Sequence, residues 1–118
     1  MKKVEAIVND NKLGEIKNRL IDQGIGGMTV SEVFGFGCQR GHPEMKIGRE
    51  YLEHFTNKLK IEVVVPDKIA DSVVDIIAKS ARTGRTGDGK IFVSTIDDAL
   101  RIRTGEKGDQ AIILSKAS

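Results

Sequence analysis

An α+β domain built on an antiparallel sheet is the fold class this sequence predicts, from three observations. The chain runs twice through a strand-like apolar period and a helix-like one, in the order βαβ, connection, βαβ. The two halves are separated by a polar, glycine-punctuated stretch at about 35–57, far longer than an ordinary connection inside a compact domain. With no Trp and an aromatic content of 4%, the core has to be assembled from Val, Ile, Leu and Ala. A split βαβ repeat of this kind gives a ferredoxin-like antiparallel sheet with both helices on one face.

Each element has its own signature. Val4, Ala6 and Val8 alternate with Lys3, Glu5 and Ile7, the pattern of a strand with one buried face. Asn9, Asp10 and Asn11 stop that strand and offer caps for a helix. Leu13, Ile16, Leu20 and Ile21 recur at helical spacing among Glu15, Lys17, Asn18 and Arg19. Gly24 ends the helix, and Gly26-Gly27 begin the turn out of it. Residues 28–36 read as a second strand, carried by Met28, Val30 and Val33 with β-branched Thr29. A third strand runs over 58–65 and stops at Pro66. Asp67 is placed to cap a second helix whose apolar set is Ile69, Val73, Val74, Ile76, Ile77 and Ala81. Ile91-Phe92-Val93 form a fourth strand. Residues 96–100 read as a short turn of helix, Arg101-Ile102-Arg103 as a short strand, and the tail from about 105 as polar until 111–114. The sheet face left uncovered by the helices also carries apolar residues, Ile7 and Val64 among them. Such a face requires a cover, so self-association is expected.

Composition narrows the functional classes. At 118 residues, 39% hydrophobic and 31% charged, the chain is expected to form one globular domain over 1–118. A net charge of +2 is too small to announce a nucleic-acid binder. One Tyr and four Phe form no cluster for base stacking, so no direct nucleic-acid partner is expected. A single cysteine excludes an internal disulfide framework. Met1-Lys2-Lys3-Val4-Glu5 sets an acid where a leader peptide would be apolar, and no apolar run approaches the roughly 20 residues of a membrane span. A cytoplasmic chain is expected. Cys38, His42 and His54 share the long connection, but their spacing matches no usual zinc pattern. Nothing in the sequence marks a catalytic residue, and no enzymatic role is expected.

The stretch richest in chemistry is Thr83-Gly84-Arg85-Thr86-Gly87-Asp88-Gly89-Lys90-Ile91-Phe92. Its glycines allow close backbone approach and φ > 0, and successive backbone N–H groups in such a turn form a concave anion site. Lys90 adds a charge at the rim. The pattern is neither G-x-x-x-x-G-K-[ST] nor G-x-G-x-x-G. By composition alone it is either a phosphate cradle or a flexible hairpin with a solvated lysine.

Three stretches together resemble the P-II nitrogen-regulatory signalling proteins over residues 1–111. These are Lys2-Lys3-Val4-Glu5-Ala6-Ile7-Val8; Gly27-Met28-Thr29-Val30-Ser31-Glu32-Val33 with Gly35-Phe36-Gly37; and Ala81-Arg82-Thr83-Gly84 through Gly87-Asp88-Gly89-Lys90-Ile91-Phe92-Val93, followed by Arg101-Ile102-Arg103-Thr104-Gly105-Glu106. The resemblance implies a homotrimer that binds ATP or ADP in clefts between subunits and 2-oxoglutarate beside ATP with Mg²⁺. It also implies a long T-loop, at about 37–55, between the second and third strands, which docks onto regulated partners. Such partners include an ammonium transporter, a nitrogen-assimilation enzyme or a regulator. Carried over position by position, Gly87, Asp88, Gly89 and Lys90 hold phosphates through backbone amides and a charge. Arg101 and Arg103, alternating on one strand face, reach phosphates from the neighbouring subunit. Thr29, Gly35 and Gly37 line the nucleotide pocket, with Glu62 and Val64 near the base and position 38 beside the phosphates. Gln39 ligates Mg²⁺ through its amide oxygen, a hard ligand suited to that ion. Lys58 pairs with the distal carboxylate of 2-oxoglutarate.

The sequence also departs from the family pattern. Asn9-Asp10 stand where many relatives carry Arg-Pro, and Cys38 stands where arginine is common, so two cations near the effector site are missing. This favours, as an alternative, an adenine-nucleotide sensor without a 2-oxoglutarate response that regulates a different pathway. Tyr51 occupies the position uridylylated in proteobacterial relatives, and Arg49 excludes the serine phosphorylation of cyanobacterial ones. Ile47 stands where some relatives place the arginine that plugs a transporter pore.

Overall fold

The structure, a computed structural model, describes residues 1–35 and 56–113. Strand β1 (Lys2–Asn9) leads through a 3₁₀ turn (Asp10–Lys12) into helix α1 (Leu13–Asp22) and then strand β2 (Thr29–Gly35). Strand β3 (Thr56–Val65), helix α2 (Asp67–Ala81) and strand β4 (Lys90–Thr95) repeat the pattern, and a short helix α3 (Asp109–Ile112) follows. The sheet order is β2-β3-β1-β4, antiparallel throughout. This is the ferredoxin-like arrangement that the double βαβ pattern predicts.

Alternation decides which side of each strand is covered. Val4, Ala6 and Val8 of β1 are buried together with Leu59, Ile61, Val63 and Val65 of β3. They pack against Ile16 and Leu20 of α1 and Ala70, Val73, Ile77 and Ala81 of α2, so both helices cover one face. In each helix the buried residues recur three or four apart, the stripe an amphipathic helix presents to a core. Pro66 lacks the N–H that a continuing ladder would use, and β3 ends before it.

The other face bears Lys3, Glu5, Ile7 and Asn9 of β1 opposite Val64, Glu62, Lys60 and Lys58 of β3. Thr29, Ser31, Val33 and Gly35 flank them on β2, and Lys90, Phe92 and Ser94 on β4. Ile7 and Val64 lie on it as expected, yet charge dominates: Lys3 Nζ lies 2.9 Å from Glu62 Oε2, and Lys60 Nζ lies 3.7 Å from Glu62 Oε1.

Several local expectations are corrected. Asn9 is the N-cap residue of the 3₁₀ turn but makes no side-chain cap bond, and Asp67 is not a cap. The α1 N-cap is Lys12 and the α2 N-cap is Pro66, both without a side-chain cap bond. Asp67 is the first residue of α2 and pairs with the Met1 amino group at 2.8 Å. Residues 96–99 are not helical; the Ile96 N–H donates to the Met1 carbonyl (3.1 Å). Arg101-Ile102-Arg103 are not a strand either. The Gly105 N–H donates to the Arg101 carbonyl (2.7 Å), which closes a turn over 102–104, and Leu100 bridges Lys107. One β-branched residue, Ile102, in a row of three is weak strand evidence beside a turn-forming Thr104-Gly105.

Glycines at positive φ close the loop between α2 and β4. Gly84 (φ +84°) stands in open space. Gly89 (φ +106°) is different: a Cβ there would lie 1.7 Å from the Ile7 carbonyl oxygen. Gly84→Ala should therefore cost about 1–2 kcal/mol, the penalty of a left-handed residue alone. Gly89→Ala should exceed that by about 2 kcal/mol or more, since backbone must move. Thermal midpoints check this, with about 4 °C per kcal/mol for a domain of this size.

Candidate functional site

The nominated site residues that are described lie on the open face of the sheet, on the loop before β4, or on the arm that follows it. They fall into two groups at opposite ends of the strands. The first gathers Gly35, Lys58 and the glycine-rich loop with Gly87, Asp88, Gly89 and Lys90. Asn9 and Lys58 are direct cross-strand partners, as are Ile7 and Lys90. Lys58 Nζ donates to Asn9 Oδ1 and to the Gly87 carbonyl (2.5 Å), which ties β1, β3 and the loop together.

The loop is held by its own aspartate. Asp88 accepts from the Thr83 N–H (2.8 Å), the Gly84 N–H (2.9 Å) and the Thr83 hydroxyl (2.5 Å). The Thr83 hydroxyl bond, then the two backbone donors, keep its carboxyl below the ordinary value of 3.8. The side chain of Asp88 thus staples the loop and leaves the outer rim to backbone groups and to Lys90, which is exposed and has no hydrogen-bond or ion-pair partner among the described residues.

The second group lies toward the other end. Thr29 is the cross-strand partner of Glu62, and Val64 follows two residues on along the same face. The hydrogen bond from Lys3, then its charge, hold the Glu62 carboxyl below the usual range, so Glu62 is an acceptor throughout the neutral range. The arm of residues 96–113 leaves the sheet at this end, through the Ile96–Met1 bond, and α3 comes back against β3.

Within the arm the two arginines do different things. Arg101 is half-buried: Nη1 donates to Glu106 Oε1 (3.0 Å), and Nη2 to the carbonyls of Ala111 (3.4 Å) and Ile113 (2.5 Å). It closes the arm upon itself. Arg103 is exposed on the turn and has no such partner among the described residues. Their expected alternation on one strand face is corrected by this turn.

Strand geometry keeps the groups apart. Thr29 and Gly35 are six residues apart on β2, which is about 20 Å of extended chain. Lys58 and Glu62 are about 13 Å apart by the same measure. One chain does not bring Thr29 and Gly35 to a single pocket. The described clefts do not unite them either. One of about 350 Å³, lined by Leu13, Leu20, Ile21, Met28 and Val30, lies on the helix side and holds none of the nominated residues.

Gly37, Cys38 and Gln39, the Mg²⁺ ligand expected among them, lie outside the described residues, as do Tyr51 and the whole expected T-loop at 37–55. Among the described residues no group of three or more His, Cys, Asp or Glu could hold a metal ion. What sequence reasoning missed is the part played by Asn9, which reads as a helix cap when seen beside Asp10 and Asn11. Its signal is the register Asn9↔Lys58, visible only once β1 and β3 are paired.

The model of the family Nitrogen regulatory protein P-II matches residues 1–106. The chain belongs to this signalling family. Among its relatives, the nitrogen regulatory protein P-II of Nostoc punctiforme is 55% identical over 112 residues, covering 95% of this chain and all of that protein. Nitrogen regulatory protein P-II 1 of Escherichia coli K12 is 53% identical, and the Haemophilus influenzae nitrogen regulatory protein P-II is 50% identical, over the same shares. Among the described residues no helix is long and apolar enough to cross a membrane.

The loop staple has a pH signature. Because its carboxyl is held below 3.8, Asp88 supports the loop at every pH above the ordinary aspartate value. That support is lost as pH falls through the depressed value, where protonation removes the acceptor. Amide exchange at Thr83 and Gly84 should stay protected, after correction for intrinsic rates, from pH 7 to about 4 and lose protection below that. In Asp88→Ala the protection should be absent throughout.

Proposed function

We propose that this P-II family member is a self-associating, trimeric sensor, not an enzyme. It binds ATP or ADP between subunits, takes 2-oxoglutarate with Mg²⁺ beside ATP, and regulates partner proteins through its T-loop. The observation that carries this reading is the division of the site. Phosphate-holding groups (Gly87, Gly89, Lys90) stand at one end of an uncovered sheet face, and Thr29, Glu62 and Val64 stand at the other. Two such half-sites become one cleft only when the end of one subunit meets the opposite end of another. Closed rotational symmetry supplies that contact at every interface.

The chemistry suits a nucleotide. Gly89 brings backbone close to β1 at the loop, Lys90 is an exposed ammonium, and Arg103 is an exposed guanidinium whose fork matches phosphate oxygens. Lys58, an ammonium with no carboxylate partner among the described residues, suits an acidic ligand such as 2-oxoglutarate. Mg²⁺ would be held by Gln39 with oxygens of the two ligands, in keeping with its preference for oxygen donors. Ligand contacts in the cleft then bias T-loop states only insofar as affinity differs between those states. An ammonium transporter, a nitrogen-assimilation enzyme or a regulator is the class of partner such a loop would address.

A second reading rests on Asn9. Where relatives commonly place an arginine, this chain has a neutral amide bonded to Lys58. An adenine-nucleotide sensor without a 2-oxoglutarate response would fit that change. Calorimetric titration of ATP with Mg²⁺, with and without saturating 2-oxoglutarate, separates the two. Mutual tightening, by about fivefold or more, is the expected result. ATP binding indifferent to 2-oxoglutarate would select the second reading, and no ATP binding would overturn both.

A further inference from the structure

The open face carries three half-buried lysines whose surroundings differ in kind. Lys3 and Lys60 each have a carboxylate within reach: Glu62 lies beside both, and Glu5 lies 3.9 Å from Lys3. Among the described residues Lys58, on the same face of β3, meets only neutral oxygens: the side-chain amide of Asn9 and the main-chain carbonyl of Gly87. The loop carboxylate close in sequence, Asp88, is turned away and saturated by Thr83 and Gly84. An ammonium has three donors, and two are engaged here. The third, with the full positive charge, remains for a ligand.

We propose that Asn9 is the positioning residue of an anion site at Lys58: its amide oxygen holds the ammonium beside Gly87 without neutralising it. The inference rests on the reading of the open face as a ligand cleft, and it names the residue that sets the strength of the acidic ligand's subsite. The choice of side chain follows from the chemistry. A lysine stem has four rotatable carbons, so an untethered ammonium samples many positions. An amide oxygen restrains it while carrying only a partial charge. A carboxylate at position 9 would restrain it equally well and cancel the charge that an incoming carboxylate needs. The cross-strand register gives Asn9 its reach, and the tight seat of Gly89 against Ile7 keeps the Gly87 carbonyl within range.

The test compares full-length wild type with Asn9→Ala and Asn9→Asp, each checked for an intact thermal transition. Nitrogen-detected NMR follows the Lys58 ammonium in the ligand-free protein, assigned with Lys58→Arg. Calorimetry then titrates 2-oxoglutarate into each protein saturated with ATP and Mg²⁺. In wild type the ammonium signal should be slow to exchange with water. Asn9→Ala should lose that slow exchange and weaken 2-oxoglutarate by about three- to tenfold; Asn9→Asp should keep it yet weaken 2-oxoglutarate by about tenfold or more. An Asn9→Ala protein with unchanged ammonium exchange, or an Asn9→Asp protein that takes 2-oxoglutarate as tightly as wild type, overturns the proposal. If wild type takes up no 2-oxoglutarate while the ammonium responds to both variants as described, the ligand assignment under Proposed function fails. The positioning role of Asn9 is then upheld by the NMR result.

Discussion

Gly89 presses backbone against backbone where a side chain has no room, and the geometry of the loop end follows from that contact. With a Cβ only 1.7 Å from the Ile7 carbonyl, no other residue fits without shifting β1 or the loop. The seat at Gly89 fixes Gly87 within reach of Lys58, and the Asp88 staple fixes Thr83 and Gly84 on the loop's other limb. A glycine-rich loop, which by entropy alone would sample many conformations, is thereby tied at both limbs. Rigidity matters because backbone donors bind an anion well only if they are already oriented for it.

The second constraint is the length of an extended strand. The sheet separates the loop end from the Thr29–Glu62 end by more than one pocket's width, and no rotamer change alters that. A charged, half-apolar sheet face with a half-site at each end is a poor surface for a monomer. In the proposed symmetric assembly each contact would complete a cleft and cover Ile7 and Val64 at once. Under that proposal assembly and ligand binding would be two aspects of the same surface. In the arm, Arg101 bonds internally and Arg103 stands on an exposed turn.

Much of this was legible in the sequence, because period-two and period-3.6 patterns are consequences of burial on one face. The β1 alternation Val4, Ala6, Val8 and the α2 stripe Val73, Ile77, Ala81 appear in the structure as the core they predict. The glycine-rich loop was legible as chemistry but ambiguous as structure until the pairing of Ile7 with Lys90 gave it a wall. Local propensity misled where tertiary partners took over. Asn9 reads as a cap but serves Lys58, 49 residues away in sequence. Asp67 reads as a cap but answers the Met1 amino group. Residues 101–103 read as a strand because turns give no periodic signal, although Thr104-Gly105 is a turn-forming pair. The half-site division could not be read at all, since it depends on register and strand direction rather than on residue type.

The central claim is that each binding cleft is shared between subunits, and complementation tests it most directly. Lys90→Ala damages the loop-end half-site, and Arg103→Ala the opposite one. Each variant alone should bind ATP poorly. When the two are unfolded together, refolded at equal ratio and shown by native mass spectrometry to form mixed assemblies, about a quarter of the clefts pair an intact end with an intact end. Calorimetry should then find ATP binding at wild-type affinity with about a quarter of the wild-type stoichiometry. Mixed assemblies that bind no better than the separate variants would contradict a shared cleft and place the site within one chain.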